Sequence, residues 1–567
     1  MDSIIQINDL VYSYRRQQHR PALHGVTLEL GAGEFVAIAG RAGSGKSTLC
    51  YALNGLIPHS FGGRMEGRVV ICGLNTRTVS VPELARRVGF VLQNAESQLV
   101  GLTVEEDVTF GLENIGLPRE EVARRVQAAL RTVRLEENLD RSPWTLSGGQ
   151  KQRLSIAAAI AFQPQVLVLD NPTAELDPIG KEEVMTALAR LNSELGLTMV
   201  IVNQELEEVL PYASRLILMD AGHIVRMGSP AEVIDCTDDV RRAGVKLPEV
   251  AQVAYLLRSN GLWTDRLPLT VDDAAQKLQK LPLAEKRSRV SVLRQDVRGE
   301  PMIEMENVSF SYPGGKPVLR EVALTVRRGE FVALMGPNGS GKTTLAKQMN
   351  GLLIPTAGRV LVRGVDTRAL RVANLAKTVG YVFQNPDHQL FSRTTAEELA
   401  FGPRNLGWSK SEVRNAVRRG LDQIGGQSRG QEDPFFMGLA ERKLVAIASV
   451  LTMRPEVLML DEPATGADHQ ATLRIMSYLS QLHRQGLTIV IVTHDVSLAA
   501  NYADRMVVLR SGMIVLDGTP REIFQRRDQL RSCSVMPPQV AALAQKLDRS
   551  SFICRVDEMV ERFSGAQ

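Results

Sequence analysis

The hydrophobic pattern of the chain has two textures. Short, uninterrupted apolar runs, FVAIA from Phe35, VLVLD from Val166, FVALM from Phe331 and VLMLD from Val457, stand between glycines and charged residues. Runs of this length without polar alternation fit strands covered on both faces. Between them lie longer segments with helical spacing, such as KQRLSIAAAIAF from Lys151, LPEVAQVAYLLRSNGL from Leu247 and DDAAQKLQKL from Asp272. Strand-like runs alternating with helical ones predict an α/β core.

The pattern occurs twice. GEFVAIAGRAGSGKSTL at Gly33 returns as GEFVALMGPNGSGKTTL at Gly329, VGFVLQNAESQL at Val88 as VGYVFQNPDHQL at Val379, and QPQVLVLDNPTAELD at Gln163 as RPEVLMLDEPATGAD at Arg454. An offset of about 291–296 residues makes each copy a complete domain, far longer than a solenoid repeat. The expected organisation is a first domain over 3–235, a helical extension and linker over 236–300, a second domain over 301–530 and a helical tail over 531–567. The charged, patternless stretch 281–300 is the linker proper. PPQVAALAQKL in the tail resembles LPEVAQVAYLL after the first copy.

Composition narrows the function classes. The 567 residues exceed a single core, and 44% apolar with 23% charged residues is globular rather than disordered. A net charge of +4 neither demands nor excludes a nucleic acid or anionic lipid partner. The five cysteines form no CxxC pair, which argues against zinc or iron–sulfur sites and fits a reducing compartment. The opening MDSIIQINDLVYSYRR lacks an apolar signal region, and no apolar run approaches the ~20 residues that span a bilayer. If this protein drives transport, another chain is expected to supply the pore.

Two segments match GxxxxGK(S/T), with Gly40, Gly43, Gly45, Lys46 and Ser47 in the first and Gly336, Gly339, Gly341, Lys342 and Thr343 in the second. Each follows an apolar strand and precedes a helical run, the context the motif requires. Backbone N–H groups close around phosphate oxygens, the lysine reaches the β/γ-phosphates, and the Ser47 or Thr343 hydroxyl binds Mg²⁺. Asn338, Thr48 and Thr344 complete the expected nucleotide-binding set. Asp170 and Asp461 end apolar strands further on and are the expected Mg²⁺-holding carboxylates.

Ser147-Gly148-Gly149-Gln150, preceded by Leu146, lies between the first P-loop and its Asp170 strand. LSGGQ in that place resembles the signature of ATP-binding cassette (ABC) ATPases, and the resemblance spans nearly all of both halves. It implies two tandem P-loop NTPase domains, each with a RecA-like α/β core, an antiparallel β subdomain and a helical signature subdomain. It also implies a head-to-tail pairing of the two domains within the chain, in which ATP and Mg²⁺ lie between the P-loop of one and the signature of the other. A serine and two glycines at a helix start offer a hydroxyl and bare N–H groups to a γ-phosphate. By the same resemblance Tyr14 and Tyr312 stack on adenine. Gln93 and Gln384 sense Mg²⁺ or attacking water and face the membrane partner. Asp177 and Asp468 are D-loop aspartates.

The two copies are chemically unequal. The family's water-polarising glutamate is present as Glu462 but replaced by Asn171 in the first copy, and an amide is no general base at neutral pH. The family's switch histidine is His494 in the second copy and Gln204 in the first. Opposite LSGGQ the second copy has Met437-Gly438-Leu439-Ala440-Glu441, without the hydroxyl and with a bulky residue where bare backbone meets phosphate. Under head-to-tail pairing every loss falls on one composite site. The other, built from Lys342, Gln384, Glu462 and His494 with the first signature, is intact and expected to be hydrolytic.

QNAESQL after Gln93 and QNPDHQL after Gln384, with FGLEN and FGPRN following, resemble the ATPases of energy-coupling factor (ECF) importers of the cobalt and vitamin type. That resemblance implies a peripheral protein on the cytoplasmic face of the cell membrane. Its partners would be a transmembrane coupling protein and a membrane substrate-binding subunit, the cargo a vitamin, a thiamine-like precursor or a transition-metal ion, and no nucleic acid is expected. The rival is a non-transport tandem ABC ATPase such as a ribosome-associated translation factor, which usually keeps both glutamates. A DNA-repair ATPase would need an insertion between P-loop and signature for which neither copy has room.

Overall fold

The computed structural model describes residues 3–15, 20–174, 176–281, 299–547 and 553–564. Most of the expected linker, 282–298, lies outside the described residues. The chain divides into two units, Met1–Leu281 and Pro282–Gln567.

The first unit begins with β1 (Ser3–Ser13), β2 (Leu23–Gly31), β3 (Phe35–Ala39), β4 (Arg64–Ile71), β5 (Leu74–Asn75) and β6 (Val88–Val91). β7 (Val166–Asp170), β8 (Thr198–Val202), β9 (Arg215–Asp220) and β10 (His223–Gly228) follow a helical insertion. β2-β1-β4-β5 form an antiparallel sheet, and β10-β9-β3-β8-β7-β6 form a second one, parallel except for the β9–β10 pair. The insertion contains the helices Val104–Asn114, Arg119–Thr132 and Gly148–Ile160.

The second unit repeats this plan. Its strands are β11 (Pro301–Ser311), β12 (Pro317–Arg327), β13 (Phe331–Met335), β14 (Ala357–Val362), β15 (Val365–Asp366), β16 (Val379–Val382), β17 (Val457–Asp461), β18 (Thr488–Val492), β19 (Arg505–Arg510) and β20 (Met513–Gly518). Sheet orders are β12-β11-β14-β15 and β16-β17-β18-β13-β19-β20.

The unalternated apolar strands have a direct physical cause. In β13, Phe331, Ala333 and Met335 face a core shared with the helices, while Val332 and Leu334 face the core under the antiparallel sheet. β17 and β18 divide their side chains in the same way. Both faces are dry, so no position can be polar until the strand ends, which is where Asp461 stands. Beyond β10, the helices Glu249–Ser259 and Val271–Leu278 stay with the first unit. Arg258 pairs with Asp235 at 2.7 Å, and the Leu267 N–H donates to the same carboxylate at 3.1 Å. Helices Gln539–Leu547 and Val556–Ser564 belong to the second unit.

Candidate functional site

Strand order assembles the site in each unit. β3 lies beside β8, β8 beside β7 and β7 beside β6, all parallel. Their carboxyl ends therefore deliver the P-loop, Gln204, Asp170-Asn171 and Gln93 to one edge of the sheet, although these lie far apart in sequence. β13, β18, β17 and β16 do the same with the second P-loop, His494, Asp461-Glu462 and Gln384.

Both P-loops form the expected strand–loop–helix, with helices Lys46–Leu53 and Lys342–Met349. A side chain on Gly40 would lie 2.2 Å from the Met219 carbonyl oxygen, and one on Gly336 2.1 Å from that of Leu509, so close backbone approach demands glycine there. Gly43 and Gly339 take φ of +76° and face open space, as a phosphate cradle requires. Lys46 Nζ donates to the Gly40 and Arg41 carbonyls at 2.7 Å, and Lys342 Nζ to the Gly336 and Pro337 carbonyls at 2.8 Å.

Asp170 and Asp461 are buried at their strand ends, and burial raises both carboxyls above the usual range. Hydrogen bonds from Ser47 and Thr343 respectively oppose that rise. Asp461 Oδ2 accepts the Tyr381 hydroxyl at 3.2 Å, whereas its buried Oδ1 has no hydrogen-bond partner. An orphaned carboxylate oxygen beside a threonine hydroxyl is an all-oxygen donor set that fits Mg²⁺.

The contrast between the two units is local. Asn171 and Glu462 have φ of +54° and +48°, and their N–H groups donate to Val202 and Val492 at 2.9 Å in each case. On this shared backbone only the second unit carries a dyad: His494 Nδ1 lies 2.9 Å from Glu462 Oε1. Thr465 Oγ1 donates to Glu462 Oε2 at 3.1 Å. The first unit instead has a network on neighbouring residues. Glu208 Oε2 accepts from Thr173 at 2.6 Å and from Asn203 at 3.1 Å, and Lys181 pairs with Glu208 at 2.6 Å and Glu205 at 2.8 Å.

The signature segments start equivalent helices, Gly148–Ile160 and Leu439–Leu451. Ser147 caps the first, its Oγ accepting from Gln150 N–H at 3.3 Å while Gln150 Oε1 accepts from Ser147 N–H at 3.0 Å. Gly438 has no side chain to offer, so only the Glu441 half survives, at 3.2 Å. The D-loop aspartates cap the following helices, Asp177 at Gly180 and Asp468 at Ala471. Tyr14 and Tyr312 sit beside the P-loop helices, their hydroxyls 3.0 and 3.3 Å from those of Thr48 and Thr344. These threonine hydroxyls, expected to bind nucleotide, engage tyrosine in this structure.

Several residues went unread in the sequence. Gln98 accepts from Leu92 N–H at 2.7 Å and donates to the Phe90 carbonyl at 3.2 Å, pinning the loop that carries Gln93. Gln389 takes the Phe383 N–H at 3.2 Å and donates to Ala446 at 2.9 Å. The shared spacing of these glutamines after Gln93 and Gln384 was the available signal. Arg41 pairs with Asp220 at 2.8 Å, and Lys443 is buried against the Glu462 turn; no motif announces either.

A family model described as ABC transporter matches residues 23–174 and 319–465. A protein of Caldanaerobacter subterraneus with the inferred name ABC transporter ATP-binding protein is 40% identical over 565 residues, 99% of this chain and 98% of its own. A Methanosarcina mazei protein with the same inferred name is 35% identical over 97% of this chain and 95% of its own. Among solved structures, cbiO1 of Clostridium perfringens, described as part of the ABC transporter complex cbiONQ, is 33% identical. It covers 43% of this chain and 98% of its own, with a TM-score of 0.39. With a matched region in each half and relatives aligned from end to end, this chain belongs to the ABC transporter ATP-binding family, as an ATPase that carries the nucleotide-binding cassette twice.

Proposed function

We propose that the chain is the ATP-hydrolysing motor subunit of an ECF-type membrane importer for a vitamin, a vitamin precursor or a transition-metal ion. Its two units pair head to tail, so that one composite site hydrolyses ATP and the other holds it. The observation that carries this reading is the Glu462–His494 contact at 2.9 Å, set against Asn171 and Gln204 at the same strand ends of the first unit.

The chemistry follows from the second unit's own residues. A carboxylate offers about four lone-pair sites. His494 and Thr465 engage one oxygen each, which leaves Glu462 capacity to accept a proton from water attacking the γ-phosphorus. As that P–O bond forms, the bond to the ADP oxygen breaks. Lys342 and the P-loop N–H groups balance the phosphate charge, and Mg²⁺, held through Thr343 and Asp461, would supply further charge neutralisation. Ser147 and the Gly148 and Gly149 N–H groups would close on the γ-phosphate from the other unit.

Membrane coupling is supported by the surface beside the Q-loop. In the first unit a cavity of about 300 Å³ is lined by Leu56, Ala85, Phe90, Gln98, Phe110 and Phe162. Phe110, Val100 and Leu102 are exposed beside it, and Phe391 and Phe401 are exposed in the second unit. Apolar surface next to a nucleotide-sensing glutamine suits a partner that must feel the nucleotide state. Among the described residues no helix is long and apolar enough to cross a membrane, so the pore is assigned to the partner. Purification of the full chain from native membranes in detergent is the test. Small membrane proteins should co-purify in fixed ratio, whereas sedimentation with ribosomes and no membrane partner would overturn the proposal.

A further inference from the structure

The helix Leu439–Leu451 begins with a signature that has lost its serine and glycines, yet its buried face makes contacts that the intact signature helix does not. Lys443 is 4% exposed, and its Nζ donates to three carbonyls of one turn: Glu462 at 3.0 Å, Pro463 at 3.2 Å and Thr465 at 2.7 Å. An ammonium has three donors, and all three are spent here. Four residues earlier on the same helix face, the Leu439 side chain leans on the same loop: a side chain on Gly466 would come within 2.8 Å of Leu439 Cδ2. The bulky residue that spoils the signature is thus turned toward its own unit's D-loop.

The turn so gripped is the one that aims Glu462. Its φ of +48° is a left-handed conformation that a non-glycine residue holds only when its surroundings enforce it. Burial pulls the Lys443 ammonium down to about 8, and the neighbouring Glu462 and Asp461 carboxylates work against that fall. In the first unit Asn171 occupies the same strained position, but the residue in place of Lys443 is Gln152. It is buried, and its Nε2 has no hydrogen-bond partner. The ammonium brace accompanies the glutamate, and the unsatisfied amide accompanies the asparagine.

We propose that Lys443 is a positioning residue for ATP hydrolysis, which ties the second unit's signature helix to the backbone of the turn that presents Glu462. A helix that no longer suits a γ-phosphate across the composite site serves the catalytic base of its own unit instead. This inference rests on the assignment of Glu462 as that base.

The test is steady-state ATP hydrolysis by the full chain, with nucleotide affinity followed separately by trinitrophenyl-ATP fluorescence. Lys443→Met and Lys443→Gln should each lower kcat by about tenfold or more and leave KM and trinitrophenyl-ATP affinity within about twofold. Lys443→Arg, which keeps charge and donors, should recover most of the rate. Gln is the residue the first unit tolerates at this place, so Lys443→Gln keeps the test open if the methionine variant does not fold. The inference is overturned if both neutral variants keep kcat within about twofold of wild type while Glu462→Gln is inactive, or if the loss appears in KM instead. An active Glu462→Gln removes the base assignment, and this inference with it.

Discussion

The ends of β7 and β17 are two versions of one construction. Each closes a fully buried strand with an aspartate, turns through a residue of positive φ and bonds that residue's N–H to the neighbouring strand at 2.9 Å. The second unit then adds chemistry: Glu462 with His494, Thr465 and the Lys443 brace. The first has Asn171, Gln204, Ala174 and Gln152 in those places, and moves its charges one turn away into the cluster of Lys181, Glu205 and Glu208. The turn is common to both units, and the side chains set around it differ. Under the proposed function, loss of catalysis in one cassette need not weaken its fold.

The largest effect should come from Glu462, the proposed base. Glu462→Gln is expected to lower kcat by roughly 10²–10⁴-fold in a steady-state assay. Adding Asn171→Glu and Gln204→His to that variant should leave the loss in place, because the first unit lacks the Thr465 hydroxyl and the Lys443 ammonium. Recovery of turnover would show that the asymmetry lies in two residues rather than in the surrounding network.

A smaller effect is expected on stability. Lys181→Met strips two carboxylates of their cation and should cost the first unit about 2–3 kcal/mol, at or below the low end for breaking a buried ion pair because Glu205 is largely exposed. Thr472→Met, at the matching place in the second unit, should stay within about 0.5 kcal/mol. Denaturant unfolding followed by hydrogen exchange in each unit separates the two.

The smallest effect is a pH slope. Burial holds the Glu207 and Glu208 carboxyls up near about 7, because Lys246 and Lys181 offset it only in part. A raised folded-state pKa means the native state binds more protons than the unfolded state between roughly 4.5 and 7. This contribution is therefore full below the unfolded value and is lost as pH rises through about 7. The first unit should therefore be less stable at pH 8 than at pH 5. The second unit has Ser497 and Leu498 at these positions and should lack this slope. Thermal melts of Glu207→Ser with Glu208→Leu should show it abolished.

Much of this was legible in the residues. FVAIA and FVALM read as doubly covered strands because two dry faces leave no position for polarity, and the first glycine of each P-loop is demanded by backbone contact with Met219 or Leu509. Asn171 against Glu462 could be read because one functional group decides it. Lys443 could not, since a lysine on a helix is ordinarily a solvated residue, and nothing local says that three carbonyls from a turn some twenty residues later will surround it. Glu208 was equally silent, because its partners come from three separate stretches of chain.

Local chemistry, then, set the strands, the phosphate loops and which cassette carries a glutamate after its strand-end aspartate, since each depends on residues adjacent in the chain or on the nature of one group. Folding in three dimensions set the support: which lysine grips the Glu462 turn, where the charges of the first unit find partners and how Gln98 and Gln389 hold their loops. Those arrangements depend on which strand lies beside which, and long-range pairing is a property of the packed core that no short stretch of sequence encodes.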